Sequence, residues 1–82
     1  MTDRDAARTI VADAIARIAP DVELDTVDAT ADLREETDID SMDFLNVVTA
    51  VHEATGLDIP ERDYPHLATL GGFIDYVASR LG

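Results

Sequence analysis

The stretch Asp38–Gly56, DIDSMDFLNVVTAVHEATG, constrains this chain of 82 residues more than any other. It reads as one helix over about Asp40 to Thr55. Asp40 is placed to cap it, because its carboxylate can accept a hydrogen bond from an orphan N–H of the first turn. Asp43, three residues on, can reach back toward the Asp40 N–H, an aspartate version of the capping box. Gly56 supplies the left-handed residue that closes many helices. At about 100° per residue, Val47, Ala50, Val51 and Ala54 share a third of the circumference, with Phe44 at the edge. That is the expected core face. Ser41, Leu45, Val48 and His52 fall on the other side, flanked by Met42 and Thr49 and rimmed by Asp40, Asp43 and Glu53. A solvated face would normally be Glu, Lys and Arg. An apolar strip rimmed by acids instead suits a protein–protein contact. Cover by neighbouring loops over Leu45 and Val48 is the alternative.

A single domain spanning 1–82 is expected from this length. Such a chain buries roughly 60–65% of its unfolded surface, enough for a thin core but not for a deep enzyme cavity. The apolar fraction of 46% argues against disorder. There is no cysteine, which excludes a disulfide scaffold and a thiolate nucleophile or ligand and fits a reducing, cytoplasmic setting. MTDRDAARTI has no apolar core of a signal peptide, and no apolar run approaches the roughly 18–20 residues that span a bilayer.

Charge narrows the partners. Eighteen Asp and Glu stand against six Arg, for a formal net charge of −12. Nucleic acid and anionic membranes would be repelled, and a basic patch on a protein partner attracted. Between Arg34 and Arg62 there are only acids and no cation, and that window contains the whole Ser41 helix. An acidic surface also keeps a small domain soluble and monomeric.

The remaining segments read as packing elements. Residues 2–19 form a first helix, capped by Thr2 with Asp5, with Ile10, Val11, Ala14, Ile15 and Ile18 as its buried stripe and Pro20 as its stop. Residues 20–39 lack a period and read as a long loop pinned by Leu24, Val27, Leu33 and Ile39. The acids of DLREETDID could bind a divalent ion weakly, but Asp38, Asp40 and Ser41 imitate only the start of a calcium loop and its glycine is missing, so no dedicated metal site is expected. Pro60 opens and Pro65 ends a short turn of helix. Thr69 caps a last helix whose stripe is Leu70, Phe73, Ile74, Val77 and Leu81. Gly71 and Gly72 in its first turn imply close backbone packing or a mobile end.

Ser41 lacks the surroundings of a nucleophile. No G-x-S-x-G elbow encloses it. His52 is nearly three turns along the same helix, and His66 lies in a loop, so neither is expected within reach of the hydroxyl. Both histidines read as surface residues, and no catalytic residue is expected. A serine at a helix start is instead well placed to hold a phosphate, because the dipole and free N–H groups stabilise negative charge there.

D-S-M at 40–42 followed by an apolar helix resembles the D-S-L motif of acyl carrier proteins. G-L-D-I-P at 56–60, the short Pro-bounded turn, A-T-L at 68–70 and F-I-D-Y at 73–76 resemble the second half of that family. The similarity covers about 38–80; the first helix agrees in type and length. The resemblance implies an all-α four-helix bundle, with three longer helices, one short helix and a long loop between helices 1 and 2. It implies a 4′-phosphopantetheine arm joined to Ser41 through a phosphodiester, with Asp40 as its motif neighbour. A phosphopantetheinyl transferase would install the arm from coenzyme A with magnesium. The thiol would then carry acyl groups as thioesters, which accounts for the absent cysteine.

On this resemblance Met42, Asp43, Leu45, Val48, Thr49 and His52 become the docking face for acyl-transfer or synthase enzymes with basic patches. Phe44, Val47, Val51, Leu67 and Leu70 become candidates for lining an acyl-chain crevice. Four features depart from the family pattern. Met42 replaces the usual leucine. The loop before the serine is longer and lacks the usual glycine. Asn46, Thr49 and His52 stand where acids are usual. The L-G-G-x-S pattern of peptide-synthetase carriers is absent. The Met1 start and the close C-terminus suggest a free protein rather than part of a synthase. Together these features point to a stand-alone carrier, serving fatty-acid, polyketide or a more specialised acyl-transfer pathway. The competing reading is an unmodified acidic helical adaptor that binds a partner through the Leu45/Val48 face.

Overall fold

Apolar residues at three- and four-residue spacing fold into three long helices. The computed structural model describes residues 3–81. Helix α1 covers Asp3–Ile18, α2 Leu33–Thr37, α3 Ser41–Thr55 and α4 Leu70–Leu81, with 3₁₀ segments at Leu24–Thr26 and Glu61–Leu67. The architecture is the expected all-α bundle, with no strand among the described residues beyond one isolated bridge between Asp32 and Thr69. Helix α1 packs on both α3 and α4, and Glu61–Leu67 packs on α4. Its buried face is Ala7, Val11, Ala14 and Ile15, while Ile10 and Ile18 are only partly covered. The Thr2 cap lies outside the described residues.

The connection 20–39 is not wholly irregular, contrary to expectation. Asp32 caps α2: its Oδ1 accepts the N–H groups of Arg34 at 2.9 Å and Glu35 at 3.2 Å. Leu33 is fully buried, and Thr37 turns its hydroxyl back onto the Leu33 carbonyl at 2.7 Å. A helix this short has too few turns to show a period, so its only sequence signal is the cap. The expected pins do hold the connection, with Leu33 and Ile39 buried and Leu24 and Val27 partly so. Backbone bonds reinforce them: Leu33 N–H donates to Ala68 O at 2.7 Å and Gly71 N–H to Ala29 O at 3.0 Å.

Two further expectations are corrected. Pro65 does not end the short helix but sits inside Glu61–Leu67. A proline φ near −65° fits 3₁₀ geometry, and the Pro65 carbonyl still accepts the Ala68 N–H at 3.4 Å. Ala54 is exposed rather than core. The buried face of α3 widens to include Val48, giving Phe44, Val47, Val48, Ala50 and Val51, while Ala54 falls in the last turn, beyond that cover.

The paired glycines reflect close packing. Thr69 Oγ1 accepts the Gly72 N–H at 3.0 Å, as a cap should. A Cβ on Gly72 would lie 2.5 Å from the His66 carbonyl oxygen and 2.9 Å from Thr69 Oγ1. One on Gly71 would lie 3.1 Å from Ala29 O. Gly72→Ala should therefore lose stability by about 1–2 kcal/mol, the overpacking exceeding the helix-propensity gain. Thermal denaturation should show a fall in Tm of roughly 4 °C or more; an unchanged Tm would mean that the α4 start can move away from His66.

Candidate functional site

The site forms where α2 turns back into α3. The Asp38 N–H closes α2 on the Arg34 carbonyl, and Ile39 N–H donates to the same oxygen at 3.2 Å. Asp38 itself is left-handed at φ 57°, ψ 31°, the one described non-glycine residue with positive φ. Aspartate tolerates this region better than most residues. The chain then enters α3 with Asp40 extended, and Asp40 Oδ1 accepts the Asp43 N–H at 2.9 Å. This is the forward half of the expected box; the return bond from the Asp43 carboxylate is not made among the described residues. Gly56 closes the helix in the left-handed region at φ 72°, as expected.

Ser41 is thereby held, exposed, in the first turn of α3. Its Oγ accepts a hydrogen bond from Arg34 Nη2 at 2.9 Å. A guanidinium stays protonated and cannot serve as a base. The histidines engage other groups. His52 Nδ1 lies 2.6 Å from the Leu57 carbonyl oxygen, and the His66 ring stacks on Tyr76 at 6.3 Å between centroids.

A groove of about 360 Å³ opens beside the hydroxyl. Phe44, Leu45, Tyr64, Pro65 and Ala68 give it apolar walls, and Asp32, Arg34 and Glu61 line it with Ser41. Phe44 joins the groove to the core, its ring meeting Tyr64 at 6.2 Å and Phe73 at 6.3 Å, both edge-on. Of the five candidate lining residues, Phe44 alone is on this wall. Val47, Val51, Leu67 and Leu70 are at most 1% exposed and belong to the closed core. Arg34, Tyr64, Pro65 and Ala68 were not singled out from the sequence. The Asp32 cap was the signal that could have brought Arg34 to the site.

The docking strip is narrower than expected. Met42 and Leu45 are 71% and 44% exposed, and Thr49 and His52 are exposed beside them. Val48 is corrected to a core residue at 5% exposure. The chain after Gly56 folds back beside it, so that Val48 shares a hollow with Ile59, Pro60 and Tyr64, and the His52–Leu57 bond fixes that return. This was the alternative of loop cover. The described residues contain no group of three or more His, Cys, Asp or Glu placed to hold a metal. No described helix is long and apolar enough to cross a membrane.

Comparison with known proteins decides the family. Residues 6–77 match the phosphopantetheine attachment site family. The chain belongs to that family. Its members hold 4′-phosphopantetheine covalently and act as carriers rather than catalysts. The chain is also similar to an acyl carrier protein of Acidothermus cellulolyticus, at 36% identity over 45 residues. That stretch is 55% of this chain and 54% of the relative, about half of its length. No solved structure matches at comparable significance. The site fits the group: an exposed hydroxyl at a helix start, a cation on it and an open groove beside it suit a phosphate ester bearing a long arm.

The left-handed turn that sets this geometry can be tested alone. Asp38→Val should cost about 1–2 kcal/mol, because a β-branched residue resists that region. Asp38→Gly should be neutral or stabilising. Denaturant midpoints for the two variants should therefore fall on opposite sides of, or at, the parent value; equal losses would refute the assignment of strain at Asp38.

Proposed function

We propose that this chain is an acyl carrier whose 4′-phosphopantetheine is attached through a phosphodiester to Ser41. The observation that carries this reading is the exposed Ser41 hydroxyl, capped into the first turn of α3 within the span that matches the family. When bound, the group supplies a thiol on a flexible arm, on which acyl groups are held as thioesters.

The chain's own residues supply the platform. Asp40 fixes the helix start and Arg34 holds the hydroxyl. No activated nucleophile is needed, because the phosphopantetheinyl transferase provides the catalysis. A tethered arm on a small domain presents its cargo at high effective concentration to each docked enzyme. Met42 and Leu45 are the large apolar side chains exposed among the described residues, and they flank Ser41. So small an apolar contact suits brief docking, with the net charge of −12 steering basic patches of acyl-transfer or synthase enzymes. The adaptor reading is weakened by the burial of Val48, which removes half of its proposed contact. Service on a specialised acyl-transfer route rather than in bulk fatty-acid synthesis fits the less acidic α3 face with Asn46, Thr49 and His52, and the acidic, cysteine-free composition fits a monomer in the cytoplasm.

Intact-mass measurement tests the reading. Incubation with coenzyme A, magnesium and a broad-specificity transferase should add one phosphopantetheine, and Ser41→Ala should abolish the gain while leaving the helical circular-dichroism spectrum unchanged. Absence of any gain, or a gain that survives the substitution, would overturn the assignment.

A further inference from the structure

Arg34 is the one cation between Arg17 and Arg62, and it stands among acids. Asp32, Glu35 and Asp38 line the same hollow as its side chain. Yet its guanidinium forms no ion pair among the described residues and donates instead to the neutral oxygen of Ser41 at 2.9 Å. Glu35 and Asp38 form no side-chain hydrogen bond or ion pair among the described residues, and the other carboxylates of the region are engaged with backbone. Asp32 Oδ1 holds the Arg34 and Glu35 N–H groups, Glu36 Oε1 accepts the Asp28 N–H, and Asp40 Oδ1 accepts the Asp43 N–H. The left-handed turn at Asp38 then brings residue 34 across to residue 41. The result is a fork of five donors with one used, pointed at one oxygen.

We infer that Arg34 is a positioning residue for the arm: it pairs with the phosphodiester formed on Ser41 and holds the root of the arm at the mouth of the groove beside Phe44, Leu45 and Tyr64. This rests on Ser41 being the attachment point. Transfer from coenzyme A replaces the Oγ proton with phosphorus and releases adenosine 3′,5′-bisphosphate; Oγ becomes a bridging oxygen, and two non-bridging oxygens that share one negative charge lie two bonds from it, within reach of the same guanidinium. A bond from a cation to a neutral oxygen becomes an ion pair with an anion, for which the planar fork suits phosphate better than an ammonium. The charge also offsets what would otherwise be a new anion beside Asp40 and Asp43. Because Arg34 is exposed, the pair biases the arm by no more than about fivefold, the upper end of the range of exposed ion pairs.

The test uses the full chain and its Arg34→Gln and Arg34→Lys variants, each loaded from coenzyme A and checked by intact mass. Phosphorus NMR of the diester is then followed from low salt to about 1 M, where the Debye length falls to about 3 Å. The parent resonance should move with salt toward the position of Arg34→Gln, which should barely move, and Arg34→Lys should lie between them. Loading should also shift the guanidinium proton signals of the parent. Superimposable phosphorus resonances in all three proteins at low salt would overturn the role of Arg34 and leave the carrier reading intact. Failure of the parent to gain mass would overturn the carrier reading and this inference with it.

Discussion

Phe44 ties the reactive end of the molecule to its core. It lies three residues after Ser41, about 60° round the helix, and is buried where the serine is exposed. Its ring meets Phe73 of α4 and Tyr64 of the 3₁₀ segment edge-on, and each such pair is worth about 0.5–1.5 kcal/mol beyond burial. The start of α3 is therefore fixed against two other elements at once. The groove wall and the serine's position follow from that contact. One turn further along α4, Tyr76 donates to Asp63 Oδ2 at 2.7 Å and carries Arg80 over its ring at 3.7 Å. These bonds hold the 3₁₀ segment down and keep Tyr64 where Phe44 needs it. Burial, more than the bond to Asp63, raises the pKa of the Tyr76 phenol, so it stays a donor throughout the neutral range.

The acidic composition has a structural side that net charge conceals. Asp28, Asp32, Glu36 and Asp40 each accept backbone N–H groups, and Thr69 does the same with a hydroxyl. The bonds from the Thr30 N–H and hydroxyl lower the pKa of Asp28. A carboxyl lowered on folding contributes stability above its ordinary range and loses it as pH falls through the lowered value. Acidification should loosen such turns, while the apolar core is indifferent to it. Acids that bond to backbone also repel one another less effectively than the formal count implies, because each N–H dipole offsets part of the charge.

The long helices were legible because their signals are redundant. In α3 the Asp40 cap, the apolar period and Gly56 all agree, and in α4 Thr69 and the stripe from Leu70 to Val77 do the same. Ser41 was legible for the same reason, standing in a motif at a capped helix start. What escaped was set by tertiary contact. Val48 lies on the margin of the apolar arc, and its burial depends on where residues 57–64 return, while Ala54 lies within the arc but in the last turn of the helix, where it is exposed. Helix α2 spans five residues and has no period to detect. Pro65 was read as a stop on α-helical rules, whereas 3₁₀ bonding accommodates it. Arg34 escaped because the sequence shows it only as the edge of an acidic window, and its approach to Ser41 requires the turn at Asp38.

Those misses share a location, and it bears on how a carrier of this kind would work. The connection 20–39 and the segment 57–67 flank the groove. The second is tied by Tyr64 on Phe44 and by Asp63 on Tyr76 and Arg80, while the first is held by backbone bonds and isolated apolar pins rather than by a continuous helical stripe. Elements held this way open at lower free energy than the core they cover. The three long helices supply a frame that keeps Ser41 and Phe44 in register. The wall formed by the connection 20–39 is the one with more freedom to adjust. On the carrier reading, a rigid attachment point beside an adjustable wall reconciles two demands. Every docked enzyme must find the arm's root in the same place, while cargo of differing size must be accommodated next to it.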